Sequence, residues 1–398
     1  MLTLSQCKIG DNSSNSTSSS FSVASIYPSD KSTSVPLNTG ISVTFSDSVN
    51  RSTVTTNTNN EVCSGSFQVS GDGFNTCIQM SEVIEVGNGR HSFLFQPVSL
   101  LAPSSEFAVK ITRTVRSGEG QALEAEYTSA GYFTSGSLSD TTAPLVTVVA
   151  PYSLYSRIPV NTGFMVMFSE AMGISTMTAA TSGTECSGSV QLTSDGFLTC
   201  VRLRRDPEPS GNFRAFVITP AENLETNRAY KLKITTTAAD AAGNPLAEEY
   251  LVARGMVTGS QLDQTAPSVQ TISPANGISN ISLVEPFTVQ FNELMNPASI
   301  RANISGTACS EVIRVSTNNF VSCVQMISDI NVINAGRSFV FRPASHMGQN
   351  SLYQLKVIMD AVDLAGNALS VETYYASGYT TTDTPWDYAV WDNDYWTD

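Results

Sequence analysis

Six cysteines recur in a single register. Cys63, Cys186 and Cys309 stand 123 residues apart, and so do Cys77, Cys200 and Cys323. Prolines and aromatics keep the same step: Pro28, Pro151 and Pro274; Phe45, Phe168 and Phe291; Pro97, Pro220 and Pro343; Phe107, Tyr230 and Tyr353. A fixed period with no net insertion between anchors marks tandem copies of one folding unit. The 398 residues therefore divide into a polar leader (1–21), three repeats (22–138, 139–261 and 262–384) and a tail (385–398).

Each repeat reads as all-β. Apolar residues alternate with period two, as in half-buried strands, at Ile41, Val43 and Phe45, at Phe164, Val166 and Phe168, and at Phe287, Val289 and Phe291. Further strands carry Phe93 and Phe95, and Phe107, Val109 and Ile111, with their equivalents one and two periods on. Short strands between Gly, Asp, Asn and Pro clusters, in a unit of this length, imply a two-sheet sandwich. One helical turn is expected at Ser52 to Val54 and its equivalents. The longest unbroken apolar run, Phe164 to Phe168, has five residues, far short of the roughly 18 that cross a bilayer.

The segments VTFSDSVN, VMFSEAMG and VQFNELMN resemble the F-S-E-x-M opening of the bacterial Ig-like repeat of the SbsA S-layer type. Asp240 to Leu246 (DAAGNPL) and Asp363 to Leu369 (DLAGNAL) resemble that family's late D-x-A-G-N-x-L turn. Repeat 1 departs here, with Ser117 to Ala122 (SGEGQA) keeping the glycine and losing Asp and Asn. The resemblance spans roughly residues 22 to 382 and implies three tandem Ig-like β-sandwich domains. It does not choose among spacers, adhesive modules and enzyme appendages.

Each repeat holds two cysteines with 13 residues between them, and a turn signal in the interval (Gly71-Asp72-Gly73, Ser194-Asp195-Gly196, Asn318-Asn319). The pattern reads as a hairpin with its sulfurs near the open end, the first cysteine on a loop that folds back. Zinc wants about four ligands and finds no regularly placed histidine here, and buried free thiols are the other alternative. Three intradomain disulfides, Cys63–Cys77, Cys186–Cys200 and Cys309–Cys323, fit best, and persistent disulfides place a protein outside the cytosol. Cys7 has no repeat partner. With Leu4-Ser5-Gln6 before it and a Ser/Asn-rich run after, it is similar to the processing site of spirochaete-like surface lipoproteins. That resemblance implies lipid attachment at Cys7 and a cell-surface or outer-membrane position, although Met1 to Gln6 holds neither a basic nor an apolar signal region.

The repeats meet at Ser137 to Pro144 (SLSDTTAP) and Ser260 to Pro267 (SQLDQTAP). Short proline-bearing junctions imply a semi-rigid rod about 100 Å long. Asp140 and Asp263 recur in these junctions and are calcium candidates, to which the recurring Asp47, Glu170 and Glu293 could contribute. One Asp per junction does not supply the six to eight oxygens calcium takes. Lys plus Arg is 21 against 35 for Asp plus Glu, a net charge of −14, which excludes a phosphate-tracking surface for nucleic acid. The tail holds Trp386, Trp391 and Trp396, residues of the kind that dominate binding hot spots, amid acids. No G-x-S-x-G, H-E-x-x-H, phosphate-binding glycine loop or C-x-x-C is present. The expectation is a non-catalytic, lipid-anchored surface stalk that presents or binds an extracellular protein or glycan. A passive envelope spacer and a carbohydrate-binding accessory module are the alternatives.

Overall fold

The computed structural model describes residues 20–81, 83–86, 91–151, 157–252 and 255–382. In repeat 1 the alternating segment Ile41–Phe45 is the second strand of a four-stranded antiparallel sheet, flanked by Val23–Tyr27 and Ser92–Phe95, with Ile84–Val86 on the far edge. The second sheet pairs Phe67–Ser70 with Glu106–Ile111, which also pairs with Tyr127–Thr128 and Phe133–Thr134. Pairing sets Val43 opposite Phe93 and Ile41 opposite Phe95. The Phe67 ring of the second sheet then stacks on Phe95 at 3.6 Å between centroids, so the two inner faces close one core. Repeats 2 and 3 repeat this plan. Phe164–Phe168 pairs with Ala215–Ile218, and Phe287–Phe291 with Ser338–Phe341. Val190–Thr193 pairs with Ala229–Ile234, and Ile313–Ser316 with Leu352–Val357. The last repeat joins the two short closing strands into one, Thr373–Thr380.

The expected helical turn lies one residue earlier, as 3₁₀ turns at Arg51–Thr53, Ile174–Thr176 and Pro297–Ser299. The Asn50 and Asn296 side chains accept the Ser52 and Ala298 amides and so cap two of them. The cysteine segment departs further from expectation. Phe67–Ser70 pairs with Glu106–Ile111 rather than with the limb that returns to Cys77, and that limb forms no strand. Asp72 is the cause. Its carboxylate gathers the Asn75 and Thr76 amides and the Thr76 hydroxyl, which curls the chain before a ladder can form.

The rod is not what forms. Tyr27 and Leu94 of repeat 1 pack against the core of repeat 2, while Ala150, Met165 and Ala215 of repeat 2 belong to the apolar cluster of repeat 3. Repeat 3 also reaches repeat 1. Ile304 is part of the repeat 1 core, Ser22 Oγ donates to Glu311 Oε1 at 2.7 Å, and Ser310 Oγ donates to Glu124 Oε2 at 3.0 Å. Arg301 Nε holds the second Glu311 oxygen at 3.0 Å. Repeats 1 and 3 could not touch if the three lay end to end. The physical reason is the outer face of the first sheet in repeat 2, where Met165, Ala215 and Val217 would be stranded in water without a neighbour.

Candidate functional site

Three elements converge wherever one repeat meets the next. The junction aspartate comes first. Asn38 of repeat 1 accepts the Asp140 amide at 2.9 Å and donates to the Asp140 carbonyl at 3.1 Å, and Asn161 does the same for Asp263 at 2.8 and 2.9 Å. Glu170 and Glu293 follow the strands Phe164–Phe168 and Phe287–Phe291. Asp240 and Asp363 open the D-x-A-G-N turns. Asp240 Oδ1 accepts the Ala242 and Asn244 amides, both at 2.8 Å, and Oδ2 accepts Asn244 Nδ2 at 2.9 Å. Asp363 repeats this with Ala365 and Asn367. The same turns dock on the preceding repeat, since Gly40 N donates to the Ala241 carbonyl at 2.9 Å and Gly163 N to the Leu364 carbonyl at 2.6 Å.

The result is two equivalent triads, Asp140–Glu170–Asp240 and Asp263–Glu293–Asp363, each with its carboxylate oxygens within 4.8 Å of one another. Asp240 and Asp363 are buried. Burial pushes the Glu170 carboxyl up to about 7, with the Asp240 charge and then a hydrogen bond to Asp140 adding to the rise. Glu293 is raised for the same first reason, with Asp363 and Asp263 next, and Arg337 opposing. A cluster of this kind is held together by a shared proton or by a cation. All donors are hard oxygens, the set that suits calcium or magnesium rather than zinc.

Asp140 and Asp263 were legible in the sequence as candidates, with Glu170 and Glu293 as contributors. In the sequence Asp240 and Asp363 read only as turn residues, although a signal exists. The positions equivalent to the triad in repeat 1 are Thr17, Asp47 and Ser117, so the first and third acids vanish together. The six paired cysteines are bonded in the expected combination, at Cα separations of 4.9, 4.9 and 5.1 Å. They staple loops and do not enter the triads. Cys7, Trp386, Trp391 and Trp396 lie outside the described residues.

Two packed β-sheets with a single core, three times over, define a tandem Ig-like sandwich protein. The model of the bacterial Ig-like domain matches residues 17–135, 140–253 and 263–381, and the chain belongs to that family. No curated protein matches the sequence. Among solved structures, the chain is similar to surface layer protein SbsC, domains 1–6, at 10% identity, 92% coverage of this chain, 55% of that one and a TM-score of 0.22. A second SbsC structure, rSbsC(31-844), gives 11% identity, 92% and 54% coverage and 0.22. Native alpha-2-macroglobulin from Escherichia coli, domains MG0-NIE-MG1, gives 13% identity, 88% and 96% coverage and 0.20. The chain spans about half the length of the SbsC structures it matches.

Proposed function

We propose that the chain is a non-catalytic cell-surface protein that presents a rigid, multi-repeat binding platform outside the cell, tethered by lipid on Cys7. The observation that carries this reading is one disulfide in every repeat, because bonds of this kind form and persist in oxidising compartments and are rare in the cytosol. The packing supports a platform over a passive spacer. A spacer gains reach by extension, whereas here repeat 3 folds back onto repeat 1 and reach is given up for fixed geometry. Intact mass with thiol counting on protein from its native host tests the reading. One acylated thiol at Cys7 and no reactive thiols elsewhere is the expected result; fully reduced cysteines in cytosolic protein would overturn it.

Calcium at the two triads belongs to the same proposal. Three carboxylates bring one oxygen each, and further carboxylate oxygens, water or carbonyls would complete a shell of six to eight. A bound divalent cation would offset two of the three negative charges of Asp140, Glu170 and Asp240 where repeat 2 docks on repeat 1, and so stiffen the contact. Calorimetry of chelated protein titrated with calcium checks this. Two sites and a higher melting temperature are expected, and no heat removes the cation from the proposal.

A further inference from the structure

The junctions between repeats 1 and 2 and between repeats 2 and 3 share a docking mode but not a lining. In the first, Gln96 Oε1 and Leu94 Cδ1 press onto Gly40, lying 2.7 and 2.8 Å from where a Cβ would stand. In the second, the equivalent residues are the shorter Thr219 and Val217, and Thr219 Oγ1 lies 3.9 Å from the same point on Gly163. A cleft of about 610 Å³ lies between repeats 2 and 3, with Thr219 on its wall. That volume falls in the range of small-ligand sites, which favour domain interfaces.

The cleft carries Arg204 and Arg205, and no other repeat has this pair. Their equivalents are Ser81 and Glu82 in repeat 1 and Ile327 and Ser328 in repeat 3. Among the described residues neither guanidinium makes an ion pair, in a chain of net charge −14. The acids nearby are largely engaged. Glu222 pairs with Arg202 at 3.1 Å, and the Asp363 carboxylate is held by the amides of its own turn within the triad with Asp263 and Glu293, which leaves Glu208. Around the arginines stand Thr219, Asn223 and Asn296. Among the described residues, the Thr219 hydroxyl, the Asn223 amide and Asn296 Nδ2 have no protein partner. No aromatic or large apolar patch lines the space, so a fatty or planar ligand has nothing to bury against.

We propose that this cleft binds a carboxylated saccharide, with Arg204 and Arg205 holding the carboxylate and the hydroxyl and amide groups reading the sugar hydroxyls. Guanidinium and carboxylate match in planar geometry and charge, and the side-chain amides offer donors and acceptors together. The inference rests on the surface-platform reading and names its ligand class. Its failure is separable, because binding in solution does not depend on where the chain resides, whereas the thiol count does.

The test is calorimetry of the full chain with trigalacturonic acid, its neutral methyl ester and inorganic phosphate. The acid should bind at least about tenfold more tightly than the ester. Arg204→Ser with Arg205→Ser should weaken the acid about tenfold or more with an unchanged melting temperature, and Arg204→Ser alone serves if the double variant does not fold. Thr219→Gln, which installs the repeat 1 residue, should crowd the cleft beside the arginines and weaken binding. Silence up to roughly millimolar acid, equal affinity for the ester, equal affinity for phosphate, or indifference to the arginine substitutions would each overturn the proposal.

Discussion

The same strand appears three times with one face constant and the other variable. Ile41, Val43 and Phe45 match Phe164, Val166 and Phe168, and then Phe287, Val289 and Phe291, all turned into their own sandwich. Between them repeat 1 has Ser42 and Thr44, repeat 2 has Met165 and Met167, and repeat 3 has Thr288 and Gln290. Repeat 2 buries Met165 completely against repeat 3, while Thr288 in repeat 3 stays half-buried. Identity on the inner face records membership of a fold. Identity on the outer face records what lies against it.

Docking residues follow the same division. Asn38 with Gly40 and Asn161 with Gly163 hold the next repeat, but the equivalent positions in repeat 3 are Val284 and Pro286. Proline has no amide to donate. At the opposite end, Ser117 of repeat 1 keeps the turn by accepting the Gln121 amide at 3.0 Å, without the charge that Asp240 brings. Contacts are retained where two repeats meet and lost where they do not.

Exchanging residues between repeats breaks or sharpens this comparison. Met165→Thr, which borrows the repeat 3 residue, should cost about 2–4 kcal/mol in chemical denaturation, because it empties a closed apolar contact and buries a hydroxyl. Thr288→Met should change stability by less than about 0.5 kcal/mol, and an equal cost at both positions would erase the distinction between covered and uncovered faces. Next in size, calcium at about 100 times its dissociation constant should stabilise the protein by about 2.7 kcal/mol per site. Asp240→Ser together with Asp363→Ser should abolish that rise in thermal melts, whereas Ser117→Asp should add no site.

Gly163→Pro, again the repeat 3 residue, removes the donor to the Leu364 carbonyl and should cost about 1–3 kcal/mol. Hydrogen exchange should show faster exchange on both sides of the junction between repeats 2 and 3, with the junction between repeats 1 and 2 unchanged. The smallest effect is acid dependence at the cysteine turns. The Thr76 amide and hydroxyl hold Asp72 at about 2, and the Thr199 hydroxyl and amide hold Asp195 at about 2. A depressed carboxyl contributes stability that is present above its unfolded value of 3.8 and is lost as pH falls toward 2. Amide exchange in these turns should accelerate over that window in repeats 1 and 2. Repeat 3, with Asn318 in the same place, should not respond.

Much of this was legible before any coordinates. The cysteine register, the alternation at Val43, Val166 and Val289, and the turn glycines are local or periodic features, and periodicity survives in one dimension. The triads were half legible, because Asp140 sits 100 residues from Asp240 and no short-range pattern joins them. The run Phe164 to Phe168 did hold the clue to compaction. Met165 and Met167 fill the positions between its period-two set Phe164, Val166 and Phe168, and a strand that is apolar on both sides must be covered on both sides. In the sequence alone it reads as a half-buried strand and as an apolar run too short for a membrane helix.

By itself, then, the sequence determined the sandwich, its triplication and its cysteine pairing, since each depends on the chemistry of a segment and its spacing. Tertiary structure decided the folded-back arrangement, the gathering of Asp240 and Asp363 to the junctions, and the cleft between repeats 2 and 3. Those outcomes depend on which surfaces meet across a hundred residues or more, and burial of an outer face is a property of the pair of repeats in contact rather than of either chain segment.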